Sequence, residues 1–415
     1  MTSRERILSA IRHNEPDRVA IDIGSTPSSG ISAIAYNRLK SRLGFSQNRA
    51  FVYDVVQQLA QPDEEFINRF HIDALDIGRT FNQRESDWYE TTLSDGSLAW
   101  YPRWFRPLKR ADGSWVAENN QGVDIALMPS GMSFFDQTCF PYSDGYPKDF
   151  KNLPVAMAKV HWSALAHSPW DHSGETDFWQ RLRRNALQLR EQTDRALVIV
   201  CGCNLFEWGT FLRRIDNFLM DLVLDSAHVE KLLDALMQIH LDTLQRVCEA
   251  VGDIADVIRF GDDLGTDTGP FMAPEMYRKF FKHRHLALTE YVKQNSRMHV
   301  LLHSCGSIYE LLPDLIEAGF EIINPVQTSS RNMEPERLKL QFGRDLCFWG
   351  GGCDTRSVLN RGSVRQVKEH VQKRLEILNK DGGFVFTPVH NILPDVPAEN
   401  IIAMFKAVEE FCHPS

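Results

Sequence analysis

The 415-residue sequence has no run of 18 consecutive apolar residues, so no single segment is expected to cross a bilayer. Its first residues, MTSRERILSAIRHNEPDR, alternate charged and apolar side chains. They lack both the apolar stretch and the small-residue cleavage site of a secretion signal, and the expected location is the cytoplasm. A Lys/Arg-rich stripe is missing too. With 46 basic against 55 acidic residues and a net charge of −9, a nucleic-acid backbone is a poor partner. Neither a Gly-rich GxGxxG segment nor a Walker segment occurs, which removes the usual nucleotide-binding signatures. The eight cysteines include no C-x-x-C pair, and in a long chain without an export signal they read as thiols rather than a disulfide framework. Metal ligation is therefore admissible.

The composition itself, 43% hydrophobic and 24% charged, is that of an ordinary globular protein. Residues 1 to 70 read as a helical extension: Ser3 is placed to cap a first helix with Ile7, Leu8 and Ile11 on one face, and a second helix is expected over 33 to 43. Ala74 to Gly78 reads as a short buried strand. From 79 to 149 the pattern changes to aromatic-rich alternation broken at Asp95-Gly96 and Asp112-Gly113, which predicts a β-rich insertion whose Trp, Tyr and Phe side chains pack its own sheet. Helices are expected at 154 to 167 and 176 to 194.

Beyond 196 a βα rhythm takes over. Short β-rich runs at 197–201, 257–260, 299–303, 321–324, 346–349 and 383–386 are separated by amphipathic stretches, including 218–250, 274–294, 307–318, 363–379 and 397–411. Repeated βα units imply a parallel sheet. Nearly every strand ends in polar, Gly or Cys residues: CGCN, FGDD, HSCG, NPVQ, WGGGC and VHN. Functional groups at the C-terminal ends of many strands favour a single α/β domain built as a (β/α)8 TIM barrel over an open sheet.

The chemistry at those strand ends suggests a metal. His303 and Cys305 are two residues apart and project to one side, and Cys353 follows three glycines two strands later. One imidazole and two thiolates suit zinc, and three protein ligands leave a position for substrate. Glu207 and Asp263 are candidate acid/base carboxylates or a fourth ligand, and Asp262 beside Asp263 is placed for substrate contact or helix capping. His390 is placed for acid/base work or substrate contact, with Asn391 next to it. Cys201 and Cys203 read as packing residues, and His283 and His285 as surface residues.

At these residues the sequence resembles the uroporphyrinogen decarboxylase superfamily, and more closely its zinc-dependent, corrinoid-linked methyltransferase branch. The matching segments are Ser3-Arg4-Glu5-Arg6-Ile7-Leu8, Glu15-Pro16-Asp17-Arg18, Phe206-Glu207, Leu212-Arg213 and Phe260 to Gly265. They continue with Ser304-Cys305-Gly306, Trp349 to Thr355, Pro388-Val389-His390-Asn391 and Asp395-Val396-Pro397. The resemblance implies the uroporphyrinogen decarboxylase type of barrel and zinc on a His-x-Cys…Cys set, which maps onto His303, Cys305 and Cys353. It also implies methyl transfer, as in an O-demethylase, from a small methylated substrate to the cobalt of cobalamin held by a partner corrinoid protein. Zinc would act as a Lewis acid toward an ether oxygen or would hold a thiolate. A homo-oligomer is compatible with this reading. Two alternatives stay open: a metal-free decarboxylase or lyase, for which Asp76 lies near the corresponding strand, and a barrel that binds a small molecule without catalysis.

Overall fold

The computed structural model describes residues 1–46, 49–119, 121–160 and 167–413. Its centre is eight parallel strands: β1 (Ala20–Ile21), β2 (Ala74–Asp76), β3 (Ala196–Gly202), β4 (Val257–Gly261), β5 (His299–His303), β6 (Ile322–Asn324), β7 (Cys347–Trp349) and β8 (Phe384–Phe386). Neighbours pair in chain order from β2 to β8, and β8 pairs with β1. The seam left between β1 and β2 is spanned by Asp73. Its N–H donates to the Ile21 carbonyl (2.7 Å), and its carboxylate accepts the Ile21 N–H (2.9 Å). The sheet is thereby nearly closed into a (β/α)8 barrel. Arg6 and Arg18 both bind the Asp73 carboxylate, so the charge at the seam is paired where it is buried.

Strand alternation then decides what lies inside. Ala20, Ala74, Ala196, Val198, Val257, Leu301, Ile322, Cys347, Trp349 and Val385 form one apolar cluster with Ile7, Ala10 and Ile11. The barrel is a packed core, and the helix Ser3–Ile11 plugs its lower end, where Gly383 N–H bonds the Ala10 carbonyl just before β8. The opposite end is left to polar groups.

Seven of the eight strands lie where hydrophobic patterning puts them. The eighth, β1, is two residues long, too short to show a period, and it falls inside the stretch read as a helical extension. That stretch also holds a small antiparallel sheet of Ile31–Ser32, Val52–Asp54 and Leu59–Ala60. The first helix is capped by Thr2 rather than Ser3: the Thr2 hydroxyl accepts the Glu5 N–H while Glu5 reaches back to the Thr2 N–H. The helix over 33–43 forms as expected and ends on left-handed Gly44. The stretch over 218–250 is two helices, Ile215–Leu224 and Ser226–Val251, broken at Asp225. The helix expected at 154–167 covers Leu153–Lys159, and residues 161–166 lie outside those described.

Between β2 and β3 lie a hairpin of Trp88–Thr92 with Leu98–Pro102, and an antiparallel sheet of Leu108–Lys109, Trp115–Glu118, Asp124–Met128 and Asp136–Gln137, inside the stretch 79 to 149 read as an insertion. Tyr89, Tyr101, Phe105 and Phe135 pack edge to face within it. It is tied to the upper rim through Phe135 N–H to the Val56 carbonyl (3.0 Å), the Gln137 amide to the Phe211 carbonyl (2.7 Å) and Tyr142 N–H to the Leu212 carbonyl (2.7 Å).

After β3 the helix Phe206–Arg213 rests on Ile215–Leu224 so closely that a Cβ at Gly209 would stand 2.2 Å from the Phe218 ring. Gly209→Ala is expected to destabilise the protein by roughly 1–3 kcal/mol through overpacking, despite the better helix propensity of alanine. The midpoint of urea unfolding checks this, and an unchanged or raised midpoint would contradict it.

Candidate metal centre and cavity

The inward parity of Leu301 continues to His303, which ends β5 at the upper rim. Its orientation is set by the end of the neighbouring strand. The Asn324 amide nitrogen donates to the Trp349 carbonyl (2.8 Å), so the amide oxygen faces the other way, where it accepts from Ser28 Oγ (2.6 Å) and lies 2.8 Å from His303 Nδ1. Nδ1 must therefore carry the proton, and Nε2 is left with its lone pair directed into the rim. Burial, with the Arg259 charge beside it, pulls His303 down to about 3, so the ring is neutral at neutral pH.

Cys305 Sγ lies 3.5 Å from His303 Nε2, and the Cys305 N–H donates to Asp263 Oδ1 (2.9 Å). The same Asp263 oxygen is 3.5 Å from His303 Nε2. His390, beyond β8, completes the group: one ligand atom each of His303, Cys305 and His390 lies within 4.8 Å of the others. Burial lowers His390, while burial and the charges of Asp263 and Glu207 push the Cys305 thiol far up. That thiol ionises in such a place only if a cation joins it.

Cys353, expected as the third ligand, is not in this group. Gly350 and Gly351 take φ values of +131° and +84°, and a Cβ at Gly352 would meet the Phe386 ring at 2.4 Å. The chain thus crosses tightly over β8 and leaves Cys353 fully buried in the apolar layer outside the barrel, with Asp354 and Arg374 as its nearest charges. The Cys353 carbonyl accepts the Val389 N–H (2.8 Å), so the residue braces the loop that presents His390.

The two acidic neighbours part company in the same way. Asp263 faces the rim, whereas Asp262 is wholly buried behind it and is not placed to touch a substrate. Its carboxylate accepts the N–H groups of Leu205 (3.2 Å), Phe206 (3.0 Å) and Glu207 (2.9 Å), which caps the helix Phe206–Arg213 from another strand end. His285 Nε2 lies 3.1 Å from it, and Tyr277 donates to His285 Nδ1 (2.9 Å). His285 is therefore a core residue, contrary to its reading as a surface one, while His283 is exposed. Asp262 aims Glu207 at the rim. Burial, with Asp263 and Asp262 nearby, raises Glu207 to about 8.

Glu207, Asp263, His303, Cys305 and His390 all line one cavity of about 320 Å³. Asn391 does not line it but donates to Gln57 (2.8 Å), which does. Cys201 and Cys203 are buried in the core. The residues that sequence reasoning missed are Asp54, His167, Asn204 and Arg259. Asp54 and His167 leave no local signal, because they come from the N-terminal sheet and from the start of the segment leading into β3. Arg259 does leave one: it is a lone cation inside an apolar strand, two residues from the inward-facing Val257. Phe211 and Val56, which also line the cavity, are the residues on which the insertion rests, so the insertion flanks the opening.

Residues 205–411 match the uroporphyrinogen decarboxylase (URO-D) family model. A stretch of 158 residues, 38% of the chain, is 26% identical to a methylcobamide:CoM methyltransferase, MtaA, of Methanosarcina barkeri, and 25% identical to the enzyme of the same name from the Fusaro strain. The match spans 42% of the length of each. A solved structure described as a methyltransferase from Methanosarcina mazei superposes with a TM-score of 0.58 over 99% of both chains at 18% identity, which shows a shared fold.

Proposed function

We propose that this chain, which belongs to the uroporphyrinogen decarboxylase superfamily, is a zinc-dependent methyltransferase that moves a methyl group from a small methylated compound to the cobalt of a corrinoid carried by a partner protein. The reading is carried by the convergence of His303, Cys305 and His390 on the wall of one cavity. Two imidazoles and one thiol fit zinc, with a fourth position toward the cavity for substrate or for a carboxylate of Glu207 or Asp263. When bound there, zinc would supply Lewis acidity toward an ether oxygen or hold a substrate thiolate.

The rest of the work falls to the chain. Glu207, protonated to a large extent at neutral pH, is placed to give a proton to the oxygen that leaves when its bond to the methyl group breaks. Asn324 keeps the His303 ring in the ligand tautomer. Val56, Phe211 and Pro27 add apolar surface to a wall that is otherwise mostly polar. A cavity of about 320 Å³ is at the small end of ligand sites, which run roughly from 300 to 1,000 Å³. That size supports a small donor inside and a corrinoid approaching from outside, and it disfavours a tetrapyrrole as the enclosed substrate. The corrinoid part also draws on the activity named for the relatives. Among the described residues no helix is long and apolar enough to cross a membrane, and all eight cysteines are unpaired, which a reducing cytoplasm would preserve.

The test is methylation of cob(I)alamin, followed by absorbance, from a panel of methoxy-, methylamino- and methylthio-compounds with and without a chelator. At least one donor is expected to methylate cobalt in a chelator-sensitive way. Purified protein that contains no zinc and methylates from no donor would sink the reading. Within it, Asn324→Ala leaves the His303 Nδ1–H without its acceptor and is expected to weaken zinc binding by roughly 10–100-fold. Competition with a chromophoric chelator measures this, and unchanged affinity would count against the tautomer argument.

A further inference from the structure

Arg259 is the only Lys or Arg among the described residues lining the cavity, and it stands on β4 at the inward parity set by Val257. Every other charged group there has a partner. Gln57 N–H donates to Asp54 (2.9 Å), the Asn204 amide donates to Glu207, and Cys305 N–H donates to Asp263. The Arg259 guanidinium makes no hydrogen bond or ion pair to a described residue, and its Nε is buried without an acceptor. The fully buried arginines contrast with half-buried Arg259: Arg6 is bound by Asp17 and Asp73, and Arg284 by Glu230 and Asp234. The negative charges of Glu207, Asp263 and Asp54 nearby offset part of the cost of burying this cation, but none of them hydrogen-bonds its fork, which stays open to an incoming acceptor.

We propose that Arg259 is the anchor for a carboxylate on the methylated substrate, so that the donor class is a small methylated carboxylic acid. The planar fork of the guanidinium matches two carboxylate oxygens. His303 ends the next strand over from Arg259, and Cys305 follows two residues beyond that strand's end. A substrate held by its carboxylate on Arg259 therefore shares one cavity of about 320 Å³ with the ligand cluster. This rests on the methyl-transfer reading for the role of the bound molecule, but not for the binding itself.

The test separates the two. Zinc-loaded protein is titrated calorimetrically with matched pairs that differ only in the anchor: 3-methoxybenzoate against 3-methoxybenzamide, and methoxyacetate against methoxyacetamide. At least one acid is expected to bind roughly 10–100-fold more tightly than its amide. In R259Q that preference should fall to within about twofold, with R259K intermediate and zinc content unchanged in both. Equal binding of acids and amides by the parent protein, or a preference that survives R259Q, would overturn the anchor. Acid binding that depends on Arg259 without methylation of cob(I)alamin by any donor would leave the anchor standing and sink the functional reading.

Discussion

His390→Ala is expected to strip zinc from the purified protein and to take methyl transfer to background, whereas Cys353→Ser is expected to leave both close to those of the parent. The contrast follows from where the two side chains lie. His390 brings a ring nitrogen within 4.8 Å of the His303 and Cys305 ligand atoms, while Cys353 is packed in the outer apolar layer. Removing one of three proposed protein ligands should cost more than the roughly 10–100-fold that outer-shell partners cost. Ser for Cys at a buried packing site changes little volume and should cost only a modest loss of stability. Metal content by plasma emission and the cob(I)alamin assay read the two outcomes. Zinc lost from Cys353→Ser and kept by His390→Ala would restore the His-x-Cys…Cys set implied by the resemblance.

The second large effect is on stability. Asp262→Ala removes the acceptor of three backbone N–H groups and of His285, all but the Glu207 N–H fully away from solvent. Breaking a buried charged network from one side typically costs about 3–5 kcal/mol, because the remaining groups stay desolvated without partners. Equilibrium urea unfolding should show a loss of that size, and saturating zinc should not restore it. A loss below about 1 kcal/mol would mean that the helix Phe206–Arg213 is held by its packing alone. Since Asp262 also aims Glu207, activity should fall even under conditions where the variant stays folded.

How far the residues themselves lead can be judged at particular places. The strands β2 to β8 and the barrel class follow from hydrophobic runs and polar strand ends, since period and burial are written locally. β1 escapes because two residues carry no period, and it is found only when its ladder to β8 and the Asp73 seam are seen. His303 and Cys305 are legible because they share a strand end and hence a face. The third member of the group is not, because three glycines and the return from β8 decide which of Cys353 and His390 reaches the rim. Asp262 and Asp263 are adjacent in sequence and opposite in role, as strand parity sends one behind the rim and the other into it.

The amino-acid sequence by itself determined a parallel barrel with candidate soft metal ligands at the ends of its strands, because alternation and residue chemistry act over a few neighbouring positions. Only the tertiary structure decided that His390 rather than Cys353 stands beside His303 and Cys305, and that Arg259 faces the cavity without a partner. Those outcomes depend on how chain segments from distant strands meet at one rim, and no local pattern encodes such a meeting.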